Sequence, residues 1–162
     1  MFCINHEVGN VSLDQRCEGL NDGLKPSGGG TEVVAVTPDP ADIQRRLEAY
    51  LSSHPDTQAV FAMGAGAANP MIQYFREHEL FGKVALDTFD ISPEVLDSII
   101  AGEMGFGMDA QQYLMGYLPV IDLVQMATNG IMPINSTYTG PLFVDTPEKA
   151  KAILTLAKQG IR

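Results

Sequence analysis

The stretch FCINHEVGNVSLDQRCEGL, residues 2–20, decides how this chain folds. Phe2, Cys3 and Ile4 form a short apolar run of the kind that becomes a buried strand. His6 to Val11 reads as a polar loop, with Gly9 and Asn10 as its turn residues. Ser12 is a good helix N-cap and Gln15, three places on, completes a capping box, so a helix is expected over residues 13–25. A strand that runs through a polar loop into a capped helix places unpaired backbone N–H groups at the C-terminal edge of a sheet, where open α/β folds bind ligands. Arg16 sits one turn into that helix. It either pairs with Asp14 or Glu18 as a solvated residue or reaches back over the edge.

The same pattern repeats outward from this stretch. Strands are expected at 32–36 (EVVAV), 58–63 (QAVFAM), 83–89 (KVALDTF) and 104–108, and an extended segment at 137–144. Helices are expected after a rigid Thr37-Pro38-Asp39-Pro40 loop to about Ser53, from an Asn69 cap with Pro70 at the first helical position to about Glu79, and from the Ser92-Pro93-Glu94 cap to Gly102. A long Leu-, Met-, Tyr- and Val-rich helix is expected over 111–128, and a last one over 147–159. Strands alternating with helices of this length mean an α/β fold: a parallel sheet of about five strands, flanked by helices on both faces. The strand ends then share one edge, which collects His6, Glu7, Asn10, Arg16, Asp39, Gly64, Asp90 and Asp109. One arginine and several carboxylates suit a neutral polyhydroxyl ligand, since charged groups bond hydroxyls strongly and arginine offers a planar fork of donors. Phe89 can add an apolar ring face. Each polar residue also has a plainer role, Asp90 and Asp109 as helix caps and His6 as an exposed loop residue.

Composition narrows the classes. At 162 residues, with 45% hydrophobic and 19% charged residues, the chain has the size and make-up of one globular domain. Twenty acids against 10 bases give a net charge of −10 with no basic cluster, which argues against nucleic acid or an anionic membrane as partner. No apolar run approaches the ~18 residues of a membrane span, and the N-terminus shows no export signal. No nucleotide, nucleophile-elbow or zinc-protease motif occurs, and no nucleophile stands beside a base, so neither a catalytic residue nor a cofactor is expected. His6, His54 and His78 are scattered, without metal-ligand spacing. Cys3 and Cys17 are either two small buried hydrophobes or a strand-to-helix disulfide formed in an oxidising compartment.

From NHEVGNVSLDQRCEGL onward the chain resembles the C-terminal lobe of a type I periplasmic sugar-binding protein, a ribose-binding-like solute receptor of ABC importers. The resemblance recurs at TPDPADIQRRLEAYLSSHPDTQAVFAMG, LDTFDISPEVLDSIIAGEMGFGMD, QQYLMGYLPV and TGPLFV, and covers essentially the whole chain. The same lobe occurs in LacI-type repressors, but the QQYLMGYLPV and TGPLFV segments look more like the transport receptors. The resemblance implies a flavodoxin-like lobe that binds a sugar or polyol, works with an ABC permease, and resides in the periplasm. Arg16 matches an arginine that bonds sugar hydroxyls, Phe89 and Asp90 match an aromatic–acid pair, Asp109 falls where a polar pocket group lies, and Asp39 matches a loop that can reach the ligand.

Two positions depart from the ribose-type pattern: Gly64 stands for an asparagine and Ala110 for a glutamine. Both remove hydrogen bonds, which implies a ligand other than a ribose-like pentose, or weak binding. The family's first lobe would precede Met1, so a C-terminal half with an open, half-lined cleft is expected. In that frame 1–110 and 137–162 form the ligand-binding lobe, and the 111–129 helix packs on the other lobe. Without it, the apolar helix is expected either to fold back on this sheet or to drive a homodimer through itself or through the open interlobe face, since leaving each large side chain exposed forgoes about 1.5–3 kcal/mol. The alternative readings are the effector-sensing half of a transcription regulator and a small flavodoxin-like enzyme or signalling domain.

Overall fold

A computed structural model describes residues 1–132 and 134–162. It contains one six-stranded sheet and six α-helices among the described residues. In chain order these are β1 (Phe2–Asn5), α1 (Val11–Leu24), β2 (Glu32–Ala35), α2 (Pro40–Ser53), β3 (Ala59–Ala62), α3 (Ala65–Glu77), β4 (Ala85–Phe89), α4 (Pro93–Ile100), β5 (Gly107–Asp109), α5 (Gln112–Asn129), β6 (Leu142–Val144) and α6 (Pro147–Lys158). The strands lie in the order β2-β1-β3-β4-β5-β6. The first five are parallel, as the alternation of strands and helices predicts. The extended segment expected at 137–144 narrows to β6, which adds an antiparallel edge by pairing Phe143 with Met108.

Period-two alternation along the central strands builds a core on each face of the sheet. Phe2 and Ile4 of β1, Val60 and Ala62 of β3 and Leu86 of β4 enter the larger core, under α2, α3, α4 and α6. Cys3, Phe61 and Met63 point to the other face, where α1 covers them with Leu13 and Cys17. A disulfide between Cys3 and Cys17, with Cα atoms 6.0 Å apart, ties β1 to α1. Of the two roles open to these cysteines, the cross-link is the one realised.

Local signals were off in two places. Asn10, not Ser12, caps α1: its side-chain oxygen accepts from the Ser12 amide at 3.0 Å, so the helix starts two residues earlier than a Ser12 cap implies. Helix α3 begins at Ala65, directly after the strand, and Pro70 lies inside it. Small residues at 64–68 let the chain turn into the helix at once, and the cap chemistry of Asn69-Pro70 is overridden. The Ser92 cap forms as expected, accepting from the Val95 amide at 3.1 Å.

Helix α5 does not fold back on the sheet. None of its residues is buried, and Tyr117, Val120, Leu123 and Val124 are among its exposed side chains.

Candidate functional site

The strand order reverses direction at β1, with β2 on one side and β3 on the other. In open parallel sheets a crevice opens at such a reversal, outside the C-terminal ends of the strands. Here β1 runs out through Asn5 into His6, and β3 through Met63 into Gly64. The next strand end, β4, delivers Phe89 and Asp90.

Arg16 reaches the crevice from the second turn of α1. Its guanidinium lies 3.6 Å from the centroid of the Phe89 ring, and its Nη1 donates to the Met63 carbonyl at 3.3 Å. The stacking and the hydrogen bond hold the planar fork at the strand ends, not out in solvent. A cation over an aromatic face contributes about 0.5–2 kcal/mol, depending on how far it is desolvated. Helix α1 is itself placed by the Cys3–Cys17 bridge, one residue beyond Arg16. Beside the stacked pair, an apolar cleft of about 210 Å³ is lined by Gly19, Leu20, Phe61, Met63 and Met108.

Asp90 follows the last residue of β4 with φ at +66°, a left-handed conformation that aspartate adopts more readily than most residues. Its amide donates to the Met108 carbonyl at 2.8 Å, which fixes the turn. Burial pushes its carboxyl above the usual carboxylate range; Arg16 opposes this, Asp109 adds to it, and His6 and a hydrogen bond from Gln112 oppose it. Arg16, Phe89, Asp90 and His6 are therefore brought together. A Cβ built on Gly64 would lie 2.9 Å from His6 Cε1 and 3.7 Å from Asp90 Oδ2, so the imidazole and the carboxylate both border the bare backbone at position 64.

The remaining expected residues are already engaged. Asp109 is fully buried; one oxygen accepts from the Gln111 amide at 2.7 Å and the other from Arg162 Nε at 2.7 Å. Asp39 caps α2, accepting from the Ala41 amide at 3.2 Å. Asn10 donates to Glu7 at 2.7 Å while capping α1, so these two side chains hold the loop around each other. Asn5 also belongs to this edge, although no motif in the sequence marks it. This buried residue donates to Asp14 at 2.8 Å and accepts from the Glu7 amide at 2.9 Å, fastening the loop that carries His6. A polar residue ending the apolar FCI run was its only local signal. Arg162 gave none, because its partner lies 53 residues away.

A larger hollow of about 610 Å³ lies on the other face of the sheet, between Pro40, α3 and Glu94. Its arginine, Arg76, is held by Glu103 at 2.7 Å and by Ser98 at 3.0 Å, so it has less to offer a ligand than the strand-end crevice. Among the described residues no group of three or more His, Cys, Asp or Glu side chains could hold a metal ion, and no helix is long and apolar enough to cross a membrane.

Residues 1–130 match the family model described as a periplasmic binding protein domain. The chain is 30% identical over 147 residues to the xylose/arabinose-binding protein XylF of Sulfolobus acidocaldarius, covering 87% of this chain and 35% of that protein. A carbohydrate transporter from Acidothermus cellulolyticus, solved in complex with myo-inositol, superposes with a TM-score of 0.87 at 28% identity, over 99% of this chain and 55% of that one. An ABC sugar transporter, a periplasmic sugar-binding protein from Legionella pneumophila, gives a TM-score of 0.78 at 27% identity over 86% of this chain and 52% of that one. The chain thus spans about a third of the curated relative and about half of each solved structure. It belongs to the periplasmic binding protein family.

Proposed function

We propose that this chain is a ligand-binding lobe of a solute receptor that takes a neutral sugar or polyol and presents it to an ABC permease. The observation that carries the reading is the Arg16–Phe89 stack beside Asp90, at the strand-order reversal. The guanidinium donates to ring hydroxyls and the carboxylate accepts from them, while the Phe89 ring holds the guanidinium in place. The names of the relatives, for xylose, arabinose and myo-inositol, support this ligand class. The role is binding, with closure of two lobes as the conformational step.

In this reading residues 1–110 and 137–162 form the ligand-binding lobe, and α5 belongs with the opposing lobe. The exposed apolar side chains of α5 support that division, and they are the surface through which two copies would otherwise pair. The Cys3–Cys17 disulfide supports a location outside the cytoplasm, in the periplasm or its equivalent, and speaks against a cytosolic regulator.

The test is an NMR titration of this chain with D-xylose, L-arabinose and myo-inositol, a method that reads even millimolar affinities. Saturable shifts at the amides of Arg16, Gly64 and Asp90, lost in Asp90→Ala, are expected. No shift with any of the three, or shifts unchanged in Asp90→Ala, would overturn the reading.

A further inference from the structure

The His6 ring presents an unusual balance of burial and hydrogen bonding. Its Nδ1 is enclosed and has no hydrogen-bond partner among the described residues. The ring lies against Gly64, whose φ of 177° is ordinary extended backbone that any residue can adopt. Glycine is not required there by conformation, but any side chain would meet the ring: an added Cβ would come within 2.9 Å of Cε1 and 3.3 Å of Nε2. The missing side chain at 64 and the imidazole from position 6 therefore occupy one space. The loop that carries the ring is fastened by Asn5 and the Asn10–Glu7 pair, so the ring is delivered to this place and not merely resting there.

We propose that His6 is a specificity-determining residue of the pocket and that, with Asp90 and Arg16, it selects a vicinal diol. This deepens the sugar-receptor reading and rests on it. Enclosing an unpartnered N–H costs more than enclosing a bare lone pair, so the ring proton sits on Nε2 and Nδ1 is the bare nitrogen. Nε2–H is then a donor at the border of Gly64, beside the Asp90 carboxylate, an acceptor. A hydroxyl placed between them accepts from Nε2–H and donates to Asp90, and its vicinal neighbour accepts from the Arg16 fork. A ligand with an isolated hydroxyl satisfies only part of this set and leaves a buried polar group unpaired, which is the stronger source of discrimination.

The experiment uses this chain labelled with ¹⁵N, with D-xylose and myo-inositol as vicinal-diol probes and their deoxy analogues lacking one member of a diol. Long-range ¹H–¹⁵N spectra are expected to show His6 protonated on Nε2, with that nitrogen shifting on ligand addition. His6→Ala should weaken binding about tenfold and reduce the preference for the intact diol over the deoxy analogue. Gly64→Ala should do the same by displacing the ring, and the His6→Ala/Gly64→Ala double variant should be no worse than His6→Ala alone. His6→Gln, which keeps a donor, should retain more affinity than His6→Ala, and with Gly64→Ala it carries the test should His6→Ala fail to fold. Unchanged affinity and preference in the His6 and Gly64 variants would overturn the inference while leaving the receptor reading standing. No binding of any probe by the unaltered chain would overturn both.

Discussion

The guanidinium of Arg16 lies 3.6 Å from the centroid of the Phe89 ring and bonds the Met63 carbonyl, so one helix residue is fastened across the ends of two strands. An arginine held in this way loses little further freedom when a ligand arrives. Arg16→Lys keeps the charge but neither the planar fork nor the stacking, so sugar affinity should fall about tenfold or more, with the fold retained. A titration in which the lysine variant matches the parent would show that charge alone suffices.

Asp90 should trade stability for function. Its carboxyl is raised by burial, so the folded state holds its proton more tightly than the unfolded state does, and its contribution falls as pH rises above the ordinary aspartate value. Asp90→Asn, which tolerates the left-handed backbone equally well, should be more stable than the parent at pH 7, and the difference should close below about pH 4. Denaturant unfolding at both pH values reads this, and ligand titration should show binding lost in the same variant.

Asp42 should behave in the opposite sense. It accepts from the Thr37 amide at 2.9 Å and from the Thr37 hydroxyl at 3.0 Å, and Arg46 and Arg45 also bond it. These bonds hold its carboxyl far below the usual range. A depressed folded-state value contributes stability above the unfolded pKa that is lost as pH falls through the folded one. Asp42→Asn should therefore be the less stable protein at pH 7, and its deficit should shrink as the pH is lowered below about 4.

Reducing the Cys3–Cys17 bridge should destabilise the chain. The cysteines are 14 residues apart, and a cross-link closing a loop of about that length is worth about 3 kcal/mol. Because the bridge also places α1, reduction should weaken sugar binding through Arg16. Unfolding and titration with and without dithiothreitol check both effects; identical curves would show that packing alone positions the helix.

Arg162 and Asp109 should be strongly coupled. Their contact is 2.7 Å, and the Asp109 side chain is wholly buried. Arg162→Ala strands that carboxylate without its cation and should cost about 3 kcal/mol or more. The Arg162→Ala/Asp109→Ala double variant should lose less than the sum of the two single changes, as measured by a denaturant double-mutant cycle.

Much of this architecture could be read along the chain. The apolar runs at FCI and QAVFAM mark buried strands, and the Ser92-Pro93-Glu94 cap marks where a helix starts. Where reading failed, a stronger local competitor stood nearby: Asn10 outbid Ser12 because its oxygen reaches the Ser12 amide and hydroxyl together. The antiparallel turn of β6 was not legible, since three residues of strand carry no mark of the direction in which they pair.

The parallel α/β sheet, the edge on which polar residues gather and the two cysteines that could bridge β1 and α1 were all legible along the chain. Those features follow from short-range periodicity and capping, which act within a few residues. Which edge residues meet depends on packing across the sheet: Arg16 on Phe89, His6 over Gly64, and Asp109 claimed by Arg162. These contacts join residues tens of positions apart, and they depend on strand order and on the left-handed turn at Asp90, which no local pattern encodes.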